Sequence, residues 1–240
     1  MKLKLRDNPT KEEVEQAISE NHIHINFVSP NSYEELFDKK KWMRTCPNTL
    51  KPNEYIYFNM NKEPELDELY GWFNYKEYYE KVANRLPDKA NFLEIGTYHG
   101  ASISYLGSLR QDLNLFSIDP FTSQGYMPWR HFKNIPNRAG YNMRNIKRFC
   151  KKIVLLDGFS DEFVGFFSDG FFDQIYIDGD HSYEQVSKDI KNYLPKVRAG
   201  GYISGHDYHE GGFPQIVRAV HENFEDVTRY EGTVWESKIG

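Results

Sequence analysis

The chain has 240 residues, 39% of them apolar and 16% aromatic, and a formal charge of -5. That balance suits one sizeable globular domain with decoration, or two small ones, and it leaves no basic tract that would draw a nucleic-acid backbone. No window nears the ~18 apolar residues of a membrane span, the opening MKLKLRDNPT lacks a signal peptide's apolar stretch, and two cysteines are too few for a disulfide framework, so a soluble protein of the reducing cytoplasm is expected.

Residues 1–65 are polar and helix-leaning and read as a helical N-terminal extension, either a cap over a site or a contact in a homo-oligomer. Thr10 with Glu13 and Ser32 with Glu35 are capping boxes that open two helices, and an extended piece is expected at 55–58. Pro64 suits the first turn of a short helix to Tyr70, and Asn74 with Glu77 caps a longer one that Pro87 stops. From residue 91 the pattern changes. Short apolar runs at 91–95, 115–118, 153–156, 173–177 and 201–204 alternate with amphipathic stretches at 101–110, 161–167, 183–194 and 216–224 and with a basic helix ending near Lys151. Two extended runs, 226–230 and 233–238, close around Glu231-Gly232, a hairpin turn.

This alternation predicts an α/β fold over 66–240: a Rossmann-like, doubly wound, mainly parallel sheet with an antiparallel C-terminal hairpin. In such sheets ligands bind beyond the carboxyl ends of the strands, near the switch in strand order. The residues at those ends are acidic: Glu94, Asp119, Asp157, Asp178 and Asp207.

Four motifs stand there. In Glu94-Ile-Gly96-Thr97-Tyr98-His-Gly100-Ala-Ser102 the glycines permit a tight turn and close approach of a ligand to a helix start. A dinucleotide fingerprint would read G-x-G-x-x-G; here a carboxylate at the strand tip disfavours an anion and welcomes an ammonium group. Asp119 is placed to accept from both hydroxyls of a ribose. Ser182 and Gln185 form a capping box, leaving Asp178 to His181 in a loop where both can face one site. Gly200-Gly201 precedes a short strand ending at His206-Asp207. If that strand neighbours the previous one, Asp178 and Asp207 either hold a hard cation such as Mg²⁺ through oxygen or satisfy loop amides.

Together and in this order the motifs resemble the class I S-adenosylmethionine-dependent methyltransferases, most nearly a small-domain family with the signature IDGDHSYE…D…L…GG…HDY, present here as residues 177–184, Asp189, Leu194, Gly200-Gly201 and His206 to Tyr208. Residues 94–102 are also similar to the first motif of catechol-type O-methyltransferases, including Tyr98 and Ser102. The resemblance spans roughly 70–238. It implies S-adenosylmethionine held by Glu94, Gly96, Thr97, Tyr98, Gly100 and Ser102, its ribose by Asp119, its adenine by Gly158 and Ser160, and its ammonium by Asp178. It implies Asp178 and Asp207 as ligands of a divalent metal, and His181, working beside Asp178, as the catalytic base. Catechol-type enzymes carry Asp-Asn where this chain has Asp207-Tyr208, and relatives acting on sugars carry an acidic pair where it has His206-Asp207.

The expected activity is O-methylation of a small hydroxylated acceptor. Phe121, Tyr126, Trp129, His131 and Phe132 are placed to wall the acceptor or simply to pack a long loop. The alternative is a binding protein of the same fold that holds S-adenosylmethionine without transferring its methyl. Nucleic acid is disfavoured as a partner, although Arg130, Lys133, Arg138, Arg144, Lys147, Arg148, Lys151 and Lys152 make a local basic face.

Overall fold

The short apolar runs become strands covered on both faces. In the computed structural model, residues 73–120, 146 and 148–240 are described, with the backbone of residues 24–25. The sheet consists of β1 (His24–Ile25), β2 (Asn91–Ile95), β3 (Asn114–Asp119), β4 (Ile153–Asp157), β5 (Phe172–Ile177), β6 (Val197–Gly205), β7 (Thr228–Tyr230) and β8 (Val234–Lys238), in the order β1-β4-β3-β2-β5-β6-β8-β7. Pairings from β1 through β6 are parallel, and β8 runs antiparallel to both β6 and β7. The expected Rossmann-like sheet with its antiparallel hairpin is the observed one. The extension calls at Thr10, Ser32, 55–58 and Pro64 lie outside the described residues, as do the aromatic wall at 121–132 and most of the basic face.

Alternation along each strand sends neighbouring side chains to opposite faces. Leu93, Phe116, Val154, Ile175 and Ile203 pack against α3 (Ser160–Phe163), α4 (Tyr183–Tyr193) and α5 (Pro214–Asn223). Phe92, Leu115, Ile153, Leu155 and Tyr176 pack against α1 (Lys76–Arg85) and α2 (Ala101–Leu109). Burial on both sides explains why these strands read as nearly continuous apolar runs.

Several local expectations are corrected. Asn74 does not cap α1: the helix begins at Lys76, and Tyr75, which precedes it, makes no side-chain cap and instead carries its ring inward. The 161–167 helix is shorter, because α3 passes into a 3₁₀ turn at Val164–Phe166. Gly200-Gly201 lies within β6, at an irregularity where the register against β5 shifts. A Cβ on Gly201 would come 2.7 Å from the Asp173 carbonyl oxygen, so the glycine marks a close backbone approach within a longer strand. No helix among the described residues is long and apolar enough to cross a membrane.

Candidate functional site

Strand order reverses between β2 and β5, and the cavity sits at their carboxyl ends. Gly96 leaves β2 in the left-handed region (φ 84°), its N–H bonded to the Ile118 carbonyl at 2.8 Å. The Asp178 N–H bonds to the Ile95 carbonyl at 2.7 Å, so the loop after β2 is tied to β3 and the loop after β5 is tied to β2. The cavity is lined by Ile95, Gly96, Tyr98, Ile118, Asp119 and Pro120 together with Gly158 to Ser160, Asp178 to Asp180, Gln185 and Asp189.

The candidates fall into three layers. Gly96, Tyr98, Asp119, Gly158, Ser160 and Asp178 line the cavity. Asp119 is held by the backbone N–H groups of Thr97 and Tyr98, both donating to Oδ2 at 2.9 and 2.7 Å. Glu94, Thr97, Gly100 and Ser102 stand behind that lining. The Thr97 side chain pairs with Ser117, Ser102 donates to Glu94, and the space a Cβ on Gly100 would take is filled by Ile146. Gly100 therefore meets a helix side chain, not the open cavity that its position in the motif suggested.

His181 and Asp207 form the third layer, beside Asp178. Because β5 and β6 are neighbours, their loops bring the ligand atoms of Asp178, His181 and Asp207 within 4.8 Å of one another. His181 Nε2 is 2.9 Å from Asp207 Oδ2, and His206 Nδ1 is 3.4 Å from Asp178 Oδ1. Burial pulls the His181 imidazole down, but its hydrogen bond to Asp207 and the charges of Asp207, Asp178 and Asp180 outweigh that, so it titrates above its ordinary 6.5. Burial pushes Asp207 up, and His181 and His206 bring it to a net position below the ordinary carboxylate range. Asp207 has φ 56°, which an aspartate tolerates better than most residues and which aims the side chain back toward His181. Two carboxylate donors from adjacent strand ends suit a divalent cation.

Two neighbours of the site escaped the sequence reading. Tyr75 Oη donates to Asp178 Oδ2 at 2.9 Å across 103 positions, and its ring lies 4.5 Å from that of His206. Tyr79 Oη donates to Glu94 Oε1 at 2.9 Å. Ser182 caps α4 as expected, accepting from the Gln185 N–H at 3.3 Å, but the Gln185 side chain does not complete the box; it turns to Ser160 and Asp189. Only the high aromatic content of the chain hinted at the two tyrosines.

Glu94 is fully buried, and among the described residues its Oε2 has no hydrogen-bond partner. Burial drives its carboxyl up to about 8, against the pull of Ser102 and Tyr79. Above its ordinary 4.5 the unfolded chain releases this proton while the folded chain keeps it, so stability falls as pH rises from 4.5 toward 8. The whole fall is on the order of 5 kcal/mol at 1.36 kcal/mol per pH unit. Glu94→Gln should flatten that decline in denaturation curves taken between pH 5 and 8; equal slopes for variant and parent would show that Glu94 is ionised in the fold throughout.

Comparison with known proteins shows similarity to methyltransferases. Residues 93–208 match the family model described as a methyltransferase domain. An uncharacterized protein of Acanthamoeba polyphaga mimivirus is 30% identical over 151 residues, covering 62% of this chain and 66% of that protein, just under two thirds of its length. Among solved structures, a precorrin-6y methyltransferase from Geobacter metallireducens GS-15 superposes with a TM-score of 0.51 at 16% identity, covering 68% of this chain and 80% of that one. Cofactor-bound Rv0187 from MTB does so with 0.53 at 14% identity, covering 97% and 98%.

Proposed function

We propose, from the premise that this chain carries a methyltransferase domain of the class I S-adenosylmethionine-dependent fold, that it transfers a methyl group from S-adenosylmethionine to an oxygen of a small hydroxylated acceptor. The observation that carries this reading is the Asp178, His181 and Asp207 cluster beside a cavity already equipped with Gly96 and Asp119. The residues present fit the donor: the carboxylates of Asp119 and Asp178 line the cavity as hydrogen-bond acceptors, together with the apolar Ile95, Ile118 and Phe159.

When bound, S-adenosylmethionine supplies an activated methyl on a sulfonium, which leaves the protein to align the partners and receive a proton. Asp119, oriented by the Thr97 and Tyr98 amides, accepts from the ribose hydroxyls. Asp178, steadied by Tyr75, attracts the ammonium. His181 has its Nε2 engaged by Asp207, which fixes the ring and leaves Nδ1 to take the acceptor's proton. Asp178 and Asp207 would hold a divalent cation such as Mg²⁺ through oxygen, and that ion would supply Lewis acidity toward the acceptor hydroxyl.

The test is formation of S-adenosylhomocysteine over a panel of hydroxylated compounds, each run with Mg²⁺ and with a chelator. At least one acceptor should be methylated on oxygen, and faster with Mg²⁺. Calorimetric binding of S-adenosylmethionine with no product from any acceptor would replace this reading with the binding-only one, and rates indifferent to the chelator would remove the metal.

A further inference from the structure

We propose that the C-terminal hairpin is a positioning element of the donor site: its turn at Gly232 seats the Tyr75 ring, and the Tyr75 hydroxyl sets the Asp178 carboxylate for the donor's ammonium group. The proposal rests on reading Asp178 as the ammonium's partner in an S-adenosylmethionine site.

The main chain of Asp178 is already fixed, since its N–H bonds to the Ile95 carbonyl. What stays free is rotation of the carboxylate, a broad torsion without sharp staggered wells. Tyr75 limits that rotation by donating to Oδ2 at 2.9 Å, and His206 Nδ1 stands 3.4 Å from Oδ1. The tyrosine can act in this way because it is itself held on three sides. Its carbonyl accepts from the N–H groups of Tyr78 and Tyr79 in the first turn of α1, at 3.1 and 3.4 Å. Its buried ring lies 4.5 Å from the ring of His206 and 5.5 Å from that of Tyr176.

The third side is the turn between β7 and β8. A Cβ on Gly232 would lie 2.8 Å from Tyr75 Cβ, inside the ~3.5–4.0 Å at which carbon atoms sit in contact, and 3.3 Å from the Asn74 carbonyl oxygen. The turn is anchored in its own right, because the Thr233 carbonyl accepts from the Tyr208 N–H at 2.8 Å. Farther along, Tyr78 Oη donates to Glu236 Oε2 at 2.7 Å and Arg85 pairs with the same carboxylate. So α1 is joined to the hairpin near both of its ends, and the two together deliver the Tyr75 hydroxyl to a residue that lines the cavity.

The test compares equilibrium binding of S-adenosylhomocysteine with that of 5′-methylthioadenosine, a nucleoside thioether without the amino-acid end, to the full chain in the presence of a chelator. The parent should prefer S-adenosylhomocysteine, and Asp178→Asn should lose most of that preference. Tyr75→Phe keeps the ring and should weaken S-adenosylhomocysteine by about 10-fold, the lower end for a hydrogen bond to a charged group, while 5′-methylthioadenosine stays within about twofold. Added to Asp178→Asn, the same change should cost nothing more. Gly232→Ala should act in the same direction as Tyr75→Phe, because the new methyl must displace Tyr75. Gly200→Ala shares the left-handed backbone but meets nothing within 4 Å, so it should leave both affinities unchanged. A kept preference in Tyr75→Phe, or equal weakening of both ligands, would overturn the role of Tyr75. Should that variant fail to fold, Gly232→Ala against Gly200→Ala decides, and identical behaviour of those two would overturn the role of the hairpin. A parent that binds the two compounds equally, or an Asp178→Asn variant that keeps the preference, would instead remove the reading of Asp178 on which the proposal stands.

Discussion

Replacing His181 with alanine is expected to lower methyl-transfer turnover by ~10²–10⁴-fold, the usual contribution of a positioned base, while binding of S-adenosylhomocysteine stays within about twofold of the parent. The split follows from the layering of the site: the cavity lining ends at Asp178 to Asp180 and does not include His181. The imidazole is partly exposed and packs on Phe213, so its loss opens no buried hole. The accompanying pH profile has a definite sign. A base works as the neutral ring, and Asp207 stabilises the protonated ring, so the rising limb of kcat should lie above pH 6.5. Asp207→Asn removes that stabilisation and should move the limb to lower pH. Turnover that survives His181→Ala would remove the base, and a limb that stays in place in Asp207→Asn would detach the pair from the chemistry.

Why the sequence disclosed so much of this site is a matter of period and order. Strands buried on both faces must be apolar throughout, so 91–95 and 153–156 stood out, and a parallel sheet forces the polar residues that follow them to one edge. Asp178 and Asp207 could be brought together from neighbouring strands alone. Contacts made by long side chains across the sheet were not legible in this way. Nothing in the spacing of Tyr75 and Tyr79 says that their hydroxyls end on Asp178 and Glu94, because an amphipathic helix advertises which face is buried and not which polar atom it meets. Gln185 misled for a related reason: it fits a capping box by spacing, but buried Asp189 and Ser160 offered its amide a better-shielded partner. Asp189 was visible only as a letter in the signature, since a single charged residue inside a helix ordinarily faces solvent.

Gly96 is the position where the fold and the site depend on the same missing atom. A Cβ built there lies 2.0 Å from the Asp178 carbonyl oxygen, a main-chain atom that cannot swing aside. The backbone is also left-handed at φ 84°. Gly96→Ala should therefore cost about 2–5 kcal/mol, summing dihedral strain with overpacking, and should weaken S-adenosylhomocysteine binding, because relief of the clash moves the Asp178 loop that is hydrogen-bonded to β2. Gly200→Ala separates the two causes. Gly200 shares the left-handed backbone at φ 75°, but nothing lies within 4 Å of its Cβ position, so it should lose about 1 kcal/mol and bind normally. Denaturant melts and ligand titrations on both variants decide the matter: equal losses would mean that only the dihedral counts, and that the close approach of β2 and β5 does not hold Asp178 in place.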